Sequence, residues 1–440
     1  MSGIMMSTLG NWKAVASAAS TPALVYNLDA ATYTGISANF SGSNNLSVPN
    51  GSTLDPGTGD FTIEFWTRLT SVTNNASFYR GNNNGVDIFM NGTGKLAMGQ
   101  AQVATLITDS VNMTTGAWVH VAAVRISGTT KLYKGGVLVG SAGDATNYVT
   151  DSTNYIGSNP GGPYRITGYM SNLRVVIGLG VYTGAFTPPT SPLTVTQSAG
   201  TNISAITTQT QLLLPLTTVP YTDSSTNAIV VTNTSTVVPI LSTPFTSYDT
   251  TGTYALTIAN AGASISYGTT NSGVFSKTTN SGTDYIYGGP NWVTGQSYSV
   301  FMAYQRTATS DGRLLNTQSE ASKDWLMGLY NGNPNTFYPN VSVNLPASGA
   351  DLIWHFGWAT WNTTTSLGQL YIATNTQPSA VAFSTTNAGG GGFNQLRMFS
   401  RAAGSEVQTG NIGFIKVYDG VIDLATVQSL YATYKTRFGY

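Results

Sequence analysis

The sequence predicts an all-β chain made of two tandem copies of one domain type and closed by a short C-terminal helix. Three observations predict it: a composition rich in strand and turn formers, runs that alternate apolar and polar residues, and the recurrence of those runs in the same order in both halves.

Of 440 residues only 8% are charged, 18 basic against 18 acidic, while 41% are hydrophobic and 11% aromatic. That apolar fraction is ordinary for a globular chain and argues against a disordered one. Thr, Ser, Asn and Gly stand where Lys, Glu and Gln usually stand. Thr suits strands, Gly and Asn suit turns with positive φ, and the usual fillers of exposed helix faces are scarce. Zero net charge without a basic run lacks the electrostatic footprint of a nucleic-acid binder. The absence of cysteine excludes a disulfide framework, a thiolate metal site and a cysteine nucleophile. No run approaches the ~18 apolar residues of a membrane span. Met1 to Ser20 carries one charge, Lys13, placed after its mildly apolar part, the reverse of a secretory leader. The expectation is a chain with neither a leader nor a membrane-inserted segment.

Taken in order, Phe61 to Leu69 is the clearest strand, with Phe61, Ile63, Phe65 and Leu69 on one face and Thr62, Glu64 and Arg68 on the other. Trp118 to Arg125 gives a second strand. Lys131 to Val139 gives two more, joined by a tight hairpin at Lys134, Gly135 and Gly136. Thr167 to Val176 gives another. The second half repeats this order. Tyr298 to Arg306 matches the first strand at an offset of 237 residues, from 61 to 298. Trp354 to Trp361 matches the Trp118 run, from 118 to 354, and Thr409 to Tyr418 matches the Thr167 run, from 167 to 409. Nearly constant offsets indicate a duplicated domain.

Between the copies, residues 187–245 hold a single charge, Asp223, and open on Pro188, Pro189 and Pro192, which favour extended backbone. Gln211 to Leu216 and Ala228 to Val231 are apolar enough for short strands, so this stretch is expected to pack on a neighbour. At the C-terminus Asp423 can cap a helix whose apolar stripe is Leu424, Val427, Tyr431, Tyr434 and Phe438. Lys435 and Arg437 suit the end of its dipole.

The run from Gly59 through Trp66, Trp118 to Arg125 and Leu132 to Val139 resembles a laminin-G-like domain. Such domains belong to the concanavalin A-like lectin/glucanase superfamily, which implies a jelly-roll sandwich of two antiparallel sheets. Gly178 to Leu193 resembles the tail these domains carry in virion structural proteins of marine, cyanophage-type bacteriophages, and Asp223 to Ala228 is similar to the segment beyond that tail in the same proteins. Val417 to Leu424 with Lys435 to Gly439 resembles the closing strand and helix of the same domain type. The resemblance covers residues 24–245 well and 246–440 more loosely, since Trp361 replaces Arg125 and Ile372 to Asn375 replaces the Gly-Gly hairpin. The expected fold is therefore two tandem jelly-roll β-sandwiches, with an N-terminal arm at 1–22, sandwiches at 23–195 and 246–440, and a connector at 196–245.

Retaining glycoside hydrolysis needs two carboxylates ~5 Å apart, so acids at i, i+2 or i+4 on one strand face are its signature. The three Glu, at 64, 320 and 406, have no acidic partner on a strand face, and no catalytic residue is assigned. His120 and His355 each lie in a strand near a Trp and are read as packed sheet residues. No nucleophile elbow, phosphate-binding loop or zinc-binding helix motif is present. No metal or other cofactor is assigned: laminin-G-like domains often hold calcium in a rim loop, for which Asp109, Asp144 and Asp151 are the candidate ligands, but isolated loop Asp residues usually cap turns. Sugar binding needs exposed aromatic faces beside amides or carboxylates. Candidates are Tyr164, the group Asp324, Trp325, Asn335 and Tyr338, and Trp361, which alternation turns away from Trp354, Phe356 and Trp358.

The expectation is a non-enzymatic virion structural protein on the particle surface, a capsid decoration or head-fibre subunit with weak glycan binding. Its partners would be the major capsid protein or fibre components, further copies of itself, and host-surface glycans. A tail-fibre receptor-binding adhesin and a bacterial surface carbohydrate-binding module are the alternatives, and a glycan-cleaving depolymerase is a third.

Overall fold

The computed structural model describes residues 21–51, 53–72, 75–158, 164–234, 236–259, 265–279, 284–292, 296–308, 312–317, 325–330, 333–339, 343–344, 352–375, 383–386, 392–401 and 405–440. Residues 1–20 of the expected arm lie outside them.

In the first half one sheet runs in the order Val137–Gly143, Thr129–Lys134, Val119–Ile126, Phe61–Leu69, Thr167–Ile177, Ser37–Ser41, Val238–Ile240. The sheet packed against it runs Thr232–Thr234, Asn45–Pro49, Thr153–Ile156, Ala76–Gly81, Val86–Met90, Lys95–Gln100, Ala104–Asn112. Phe61, Ile63 and Phe65 meet Ile88, Met90, Leu96 and Met98 between the layers. Strand alternation alone sends these side chains inward and leaves Glu64, Asp87 and Phe89 on the outer faces.

The second half repeats the layout. One sheet runs Phe383–Thr386, Leu367–Ala373, Trp354–Asn362, Tyr298–Arg306, Gly410–Tyr418, Val274–Lys277, Ile265–Gly268. Its partner runs Val343–Asn344, Asn333–Pro339, Trp325–Tyr330, Gly312–Thr317, Phe393–Met398, Tyr285–Trp292, Thr257–Ala259. The strand orders of the two halves correspond, so the duplication read from spacing is present as two jelly-roll sandwiches. Among the described residues no helix is long and apolar enough to cross a membrane.

The expected domain boundaries need correction. In the first sandwich Ser37–Ser41 pairs with one half of the long strand Thr167–Ile177, and Thr210–Leu214 pairs with the other half. In the second sandwich Val274–Lys277 pairs along Gly410 to Ile412. The remaining edge, Phe414 to Tyr418, is taken by Leu24–Asp29 from the start of the chain. An unfilled half-edge would leave backbone N–H and C=O groups without partners, and each sandwich fills it with a different piece of chain. Tyr26 and Leu28 are buried in the second core as a result. Residues 37–240, including the expected connector, therefore make up the first sandwich. Residues 24–36 and 241–440 make up the second.

Ala228 to Val231 is not a strand; the strand there is Thr232–Thr234. The Asp223 carboxylate explains the difference, because it accepts from the backbone N–H groups of Leu213, Ser225 and Ile229 and knots this stretch into a loop.

The two sandwiches cover their outer faces differently. Helix Leu424–Tyr434, capped by Asp423 accepting from Thr426 N–H at 2.7 Å, seals the second with Val427, Tyr431 and Phe438 against Phe301, Phe356 and Phe414. Arg437 ties the helix end to the first strand through Asp29, at 2.7 Å. The first sandwich is covered by the tail after Ile177, where Tyr182 stacks on Phe186 at 3.6 Å.

Candidate functional site

The outer face of the first sandwich's second sheet carries a cleft of about 300 Å³. Strand alternation sets its floor: Val86, Ile88 and Met90 enter the core, so Asp87 and Phe89 point outward beside Ser77 and Arg80 of the neighbouring strand. The four-residue turn Asn82 to Gly85, with positive φ at Asn83 and Asn84, closes the hairpin and sets Arg80 opposite Asp87. Asn75, Gln100, Gln102 and the exposed Val103 form the rim. Gly99 is required there, because a Cβ would lie 2.1 Å from the Ala104 carbonyl oxygen as the chain turns into the next strand.

Arg80 and Asp87 are 4% and 5% exposed and form an ion pair through Nη1 and Oδ2. Arg80 Nε and Asp87 Oδ1 make no hydrogen bond. Burial pushes the Asp87 carboxyl up to about 6, against the opposing pull of Arg80 and the Ser77 hydroxyl. Both atoms are closed to solvent, and leaving them without partners carries a free-energy cost of about 1–3 kcal/mol each.

A larger groove of about 640 Å³ lies between the sandwiches, lined by Tyr33, Phe245, Tyr248 and several hydroxyl side chains. Its carboxylate, Asp249, accepts from the backbone N–H groups of Asn27, Thr253 and Tyr254 and is engaged in holding its own loop. The smaller cleft is therefore the better equipped for recognition.

The buried acid Glu64 does something else. Its Oε1 accepts from Arg174 at 2.9 and 2.5 Å, and its Oε2 accepts from the Tyr182 hydroxyl at 2.6 Å and lies 3.0 Å from His120 Nε2. Burial raises its pKa, but Arg174, His120 and Tyr182 outweigh that and hold it at about 2. All of these groups lie beneath the tail, which Arg174 also grips through Thr194 O and Gln197 Oε1. The network is a latch. Glu406 is likewise engaged, by Arg313 at 2.5 Å and Arg401 at 2.9 Å, while Glu320 lies outside the described residues.

The sequence candidates separate in the structure. Tyr164 is 43% exposed and free to present its ring. Trp361 does point away from Trp354, Phe356 and Trp358, but that direction is the sandwich interior, where it is 2% exposed. It cannot stack on a sugar: both faces of that sheet are covered, one by the opposite sheet and one by the helix. Asp324 lies outside the described residues. Trp325, Asn335 and Tyr338 fall on strands Trp325–Tyr330 and Asn333–Pro339 rather than in loops, at the positions that correspond to the cleft strands of the first copy.

The calcium candidates do not converge. Asp109 pairs with Lys134 and caps Val111 N–H at 3.0 Å. Asp144 accepts from Thr130, Thr146 and Tyr148 and lies 3.6 Å from Arg125. Asp151 is held by Asn82, Asn83 and Ser152. Each oxygen set is committed to donors, two of the three acids already face a cation, and these residues do not fit a calcium cage. Sequence reasoning missed Arg80 and Asp87, although the Asn-Asn-Asn-Gly turn between two alternating runs is a signal that would set them opposite each other.

No curated relative matches the chain. Among solved structures the chain is similar to a Bacteroides ovatus protein described as carbohydrate-binding, with 17% identity, a TM-score of 0.33, and coverage of 49% of this chain and 60% of that one. It is also similar to domain 4 of a Geobacillus stearothermophilus extracellular arabinanase in complex with arabinotriose (16% identity, TM-score 0.31, 41% of this chain and 91% of that one). Mouse laminin α1 domains LG4-5 match at 11% identity and a TM-score of 0.28, over 91% of this chain and 98% of that one. At these TM-scores the likenesses carry no functional argument. Residues 40–178, a span that contains the whole cleft, match the family model of the concanavalin A-like lectin/glucanases superfamily.

Proposed function

We propose that the chain is a non-catalytic, glycan-contacting protein displayed on a virion surface, as a capsid decoration or head-fibre subunit. The observation that carries the glycan contact is the cleft, where the Phe89 ring and the Ser77 hydroxyl sit beside the Asn75, Gln100 and Gln102 amides. This is the chemistry that reads sugar hydroxyls and stacks on sugar C–H faces. The acids Glu64 and Glu406 are tied to arginines, which supports contact over hydrolysis as the mode of action. Display on a particle is supported by the resemblance of Gly178 to Leu193, and of the closing strand and helix, to segments of phage virion proteins, and by a composition with few charges, whose weak long-range field lets copies pack with small repulsion.

The experiment is to measure the copy number of the protein in purified virions. Hundreds of copies are expected for a shell component. A handful would move it to the tail as an adhesin, and absence would overturn display in favour of a bacterial surface module. A glycan array tests the contact separately, and a flat array ends that part of the reading.

A further inference from the structure

A second groove, of about 500 Å³, adjoins the 640 Å³ one where the two sandwiches meet and shares Phe245 and Thr246 with it. Its chemistry differs from that of the cleft. Among the described residues its lining has no amide or carboxylate, and Arg68 is its one charged side chain. Arg68 stands at an outward position of Phe61–Leu69, half-buried, with its guanidinium held in place. Nε donates to the Gly116 carbonyl at 2.9 Å, Nη1 donates to the Ser242 hydroxyl oxygen at 3.3 Å, and the Tyr169 ring centroid lies 5.6 Å away. Among the described residues Arg68 forms no ion pair, and its Nη2 makes no hydrogen bond.

Ser242 adds a second donor. Its oxygen accepts from Arg68 and also from Trp118 Nε1, at 3.2 Å, so both lone pairs are used and its proton is left to donate. Two donors on lining residues, one of them charged, therefore have no acceptor, and a carboxylate with its two oxygens is their complement. The second sandwich contributes Leu256 and Ile258, which join Leu241 and Phe245 as apolar surface. A sugar needs acceptors for its hydroxyls as well as donors, and the amides that supply them in the cleft have no counterpart here. An extended peptide with an acidic residue next to an aliphatic one matches better. Its carboxylate meets the donors, its aliphatic side chain meets the apolar surface, and the hydroxyls of Thr243, Thr246 and Ser247 meet its peptide groups.

We propose that this groove binds an extended acidic segment of a partner protein, with an Asp or Glu carboxylate bridging Arg68 Nη2 and the Ser242 hydroxyl and a neighbouring aliphatic side chain against Leu256 and Ile258. The proposal goes beyond the glycan reading and does not depend on it, because it uses another site and another class of ligand.

The test is selection of a random-peptide display library on the full chain, followed by NMR and calorimetric titration with the enriched sequence as an end-capped synthetic peptide. Enriched sequences are expected to place Asp or Glu beside Leu, Ile or Val, and the peptide is expected to shift the Trp118 indole signal. Replacing the acidic residue of the peptide by its amide should weaken binding about tenfold or more, the factor for one charge-assisted hydrogen bond. Arg68→Met should do the same. Because that variant also gives up the bonds to Gly116 and Ser242 and can loosen the fold, Thr246→Asp serves as a second probe. It places an anion at an exposed position of the groove and is expected to weaken binding several-fold at an unchanged melting temperature. Enrichment of peptides without acidic residues, or of none, would overturn the proposal, as would acidic peptides that bind wild type and both variants alike. Methyl glucuronide is titrated in parallel. If it shifts Trp118 in an Arg68-dependent way and the peptides do not, the carboxylate belongs to an acidic sugar and the peptide assignment is overturned. A flat glycan array with acidic peptides bound would end the glycan reading and leave this one standing.

Discussion

Two buried acids in the first sandwich respond to pH in opposite senses. Glu64 is held at about 2 against an ordinary value of 4.5, so its contribution to stability is complete above about pH 4.5 and is lost as pH falls toward 2. Asp87 is raised from 3.8 to about 6, so its ionisation in the fold is unfavourable, and stability falls as pH rises through that window. Removing Glu64 by Glu64→Gln leaves Arg174 without its carboxylate and is expected to cost about 3–5 kcal/mol at neutral pH. The cost should shrink as pH approaches 2, and urea denaturation at several pH values measures it. For Asp87→Asn the prediction concerns slope: the melting temperature of the variant relative to wild type should rise between pH 4 and 6. A flat difference would show that Asp87 is not raised. Both acids sit on outward strand positions, but alternation was read only for the Phe61 to Leu69 strand, so the position of Glu64 was legible and that of Asp87 was missed. What made Glu64 a latch and Asp87 a cleft floor was not legible, because one is covered by a tail more than a hundred residues away and the other is left open.

At the scale of elements the strands were legible where a sheet buries one face, as in Phe61–Leu69 and Tyr298–Arg306, because a period of two has one solution there. Pairing partners were not. Leu24–Asp29 has the same apolar content whichever sandwich it joins, and its place on Phe414 to Tyr418 is decided by which long strand has an open half-edge. The helix was legible from its cap and stripe, but its seat depends on a distant glycine. A Cβ at Gly413 would lie 2.4 Å from the Phe438 ring, which packs 4.4 Å from Trp354 between centroids. Phe438→Ala is therefore expected to destabilise the second sandwich by about 3–5 kcal/mol. Gly413→Val should expel the ring and produce a comparable loss. Denaturation followed by tryptophan fluorescence tests both, since Trp354, Trp358 and Trp361 all report on this sandwich.

For the whole molecule, the described residues begin in the second sandwich with Leu24–Asp29, cross to build the first between Ser37 and Ile240, and then return. The crossing has an asymmetric consequence. Among the described residues, 37–240 supply every strand that the two sheets of the first sandwich use, including Thr210–Leu214, Thr232–Thr234 and Val238–Ile240 from the stretch between the copies. The second has no such continuous source, because Leu24–Asp29 is separated in sequence from the rest of it by the whole of the first. A fragment spanning 37–240 is therefore expected to fold alone, with dispersed NMR signals and cooperative melting. A fragment spanning 241–440 lacks Tyr26 and Leu28 from its core and leaves the Phe414 to Tyr418 edge unpaired, so it should be aggregation-prone or partly folded. Supplying residues 21–36 as a peptide should restore cooperative melting to that fragment, and Leu28→Asp in the peptide should abolish the rescue. If 241–440 folds as well without the peptide as with it, the first strand is an accessory to the second sandwich and the two copies are independent units.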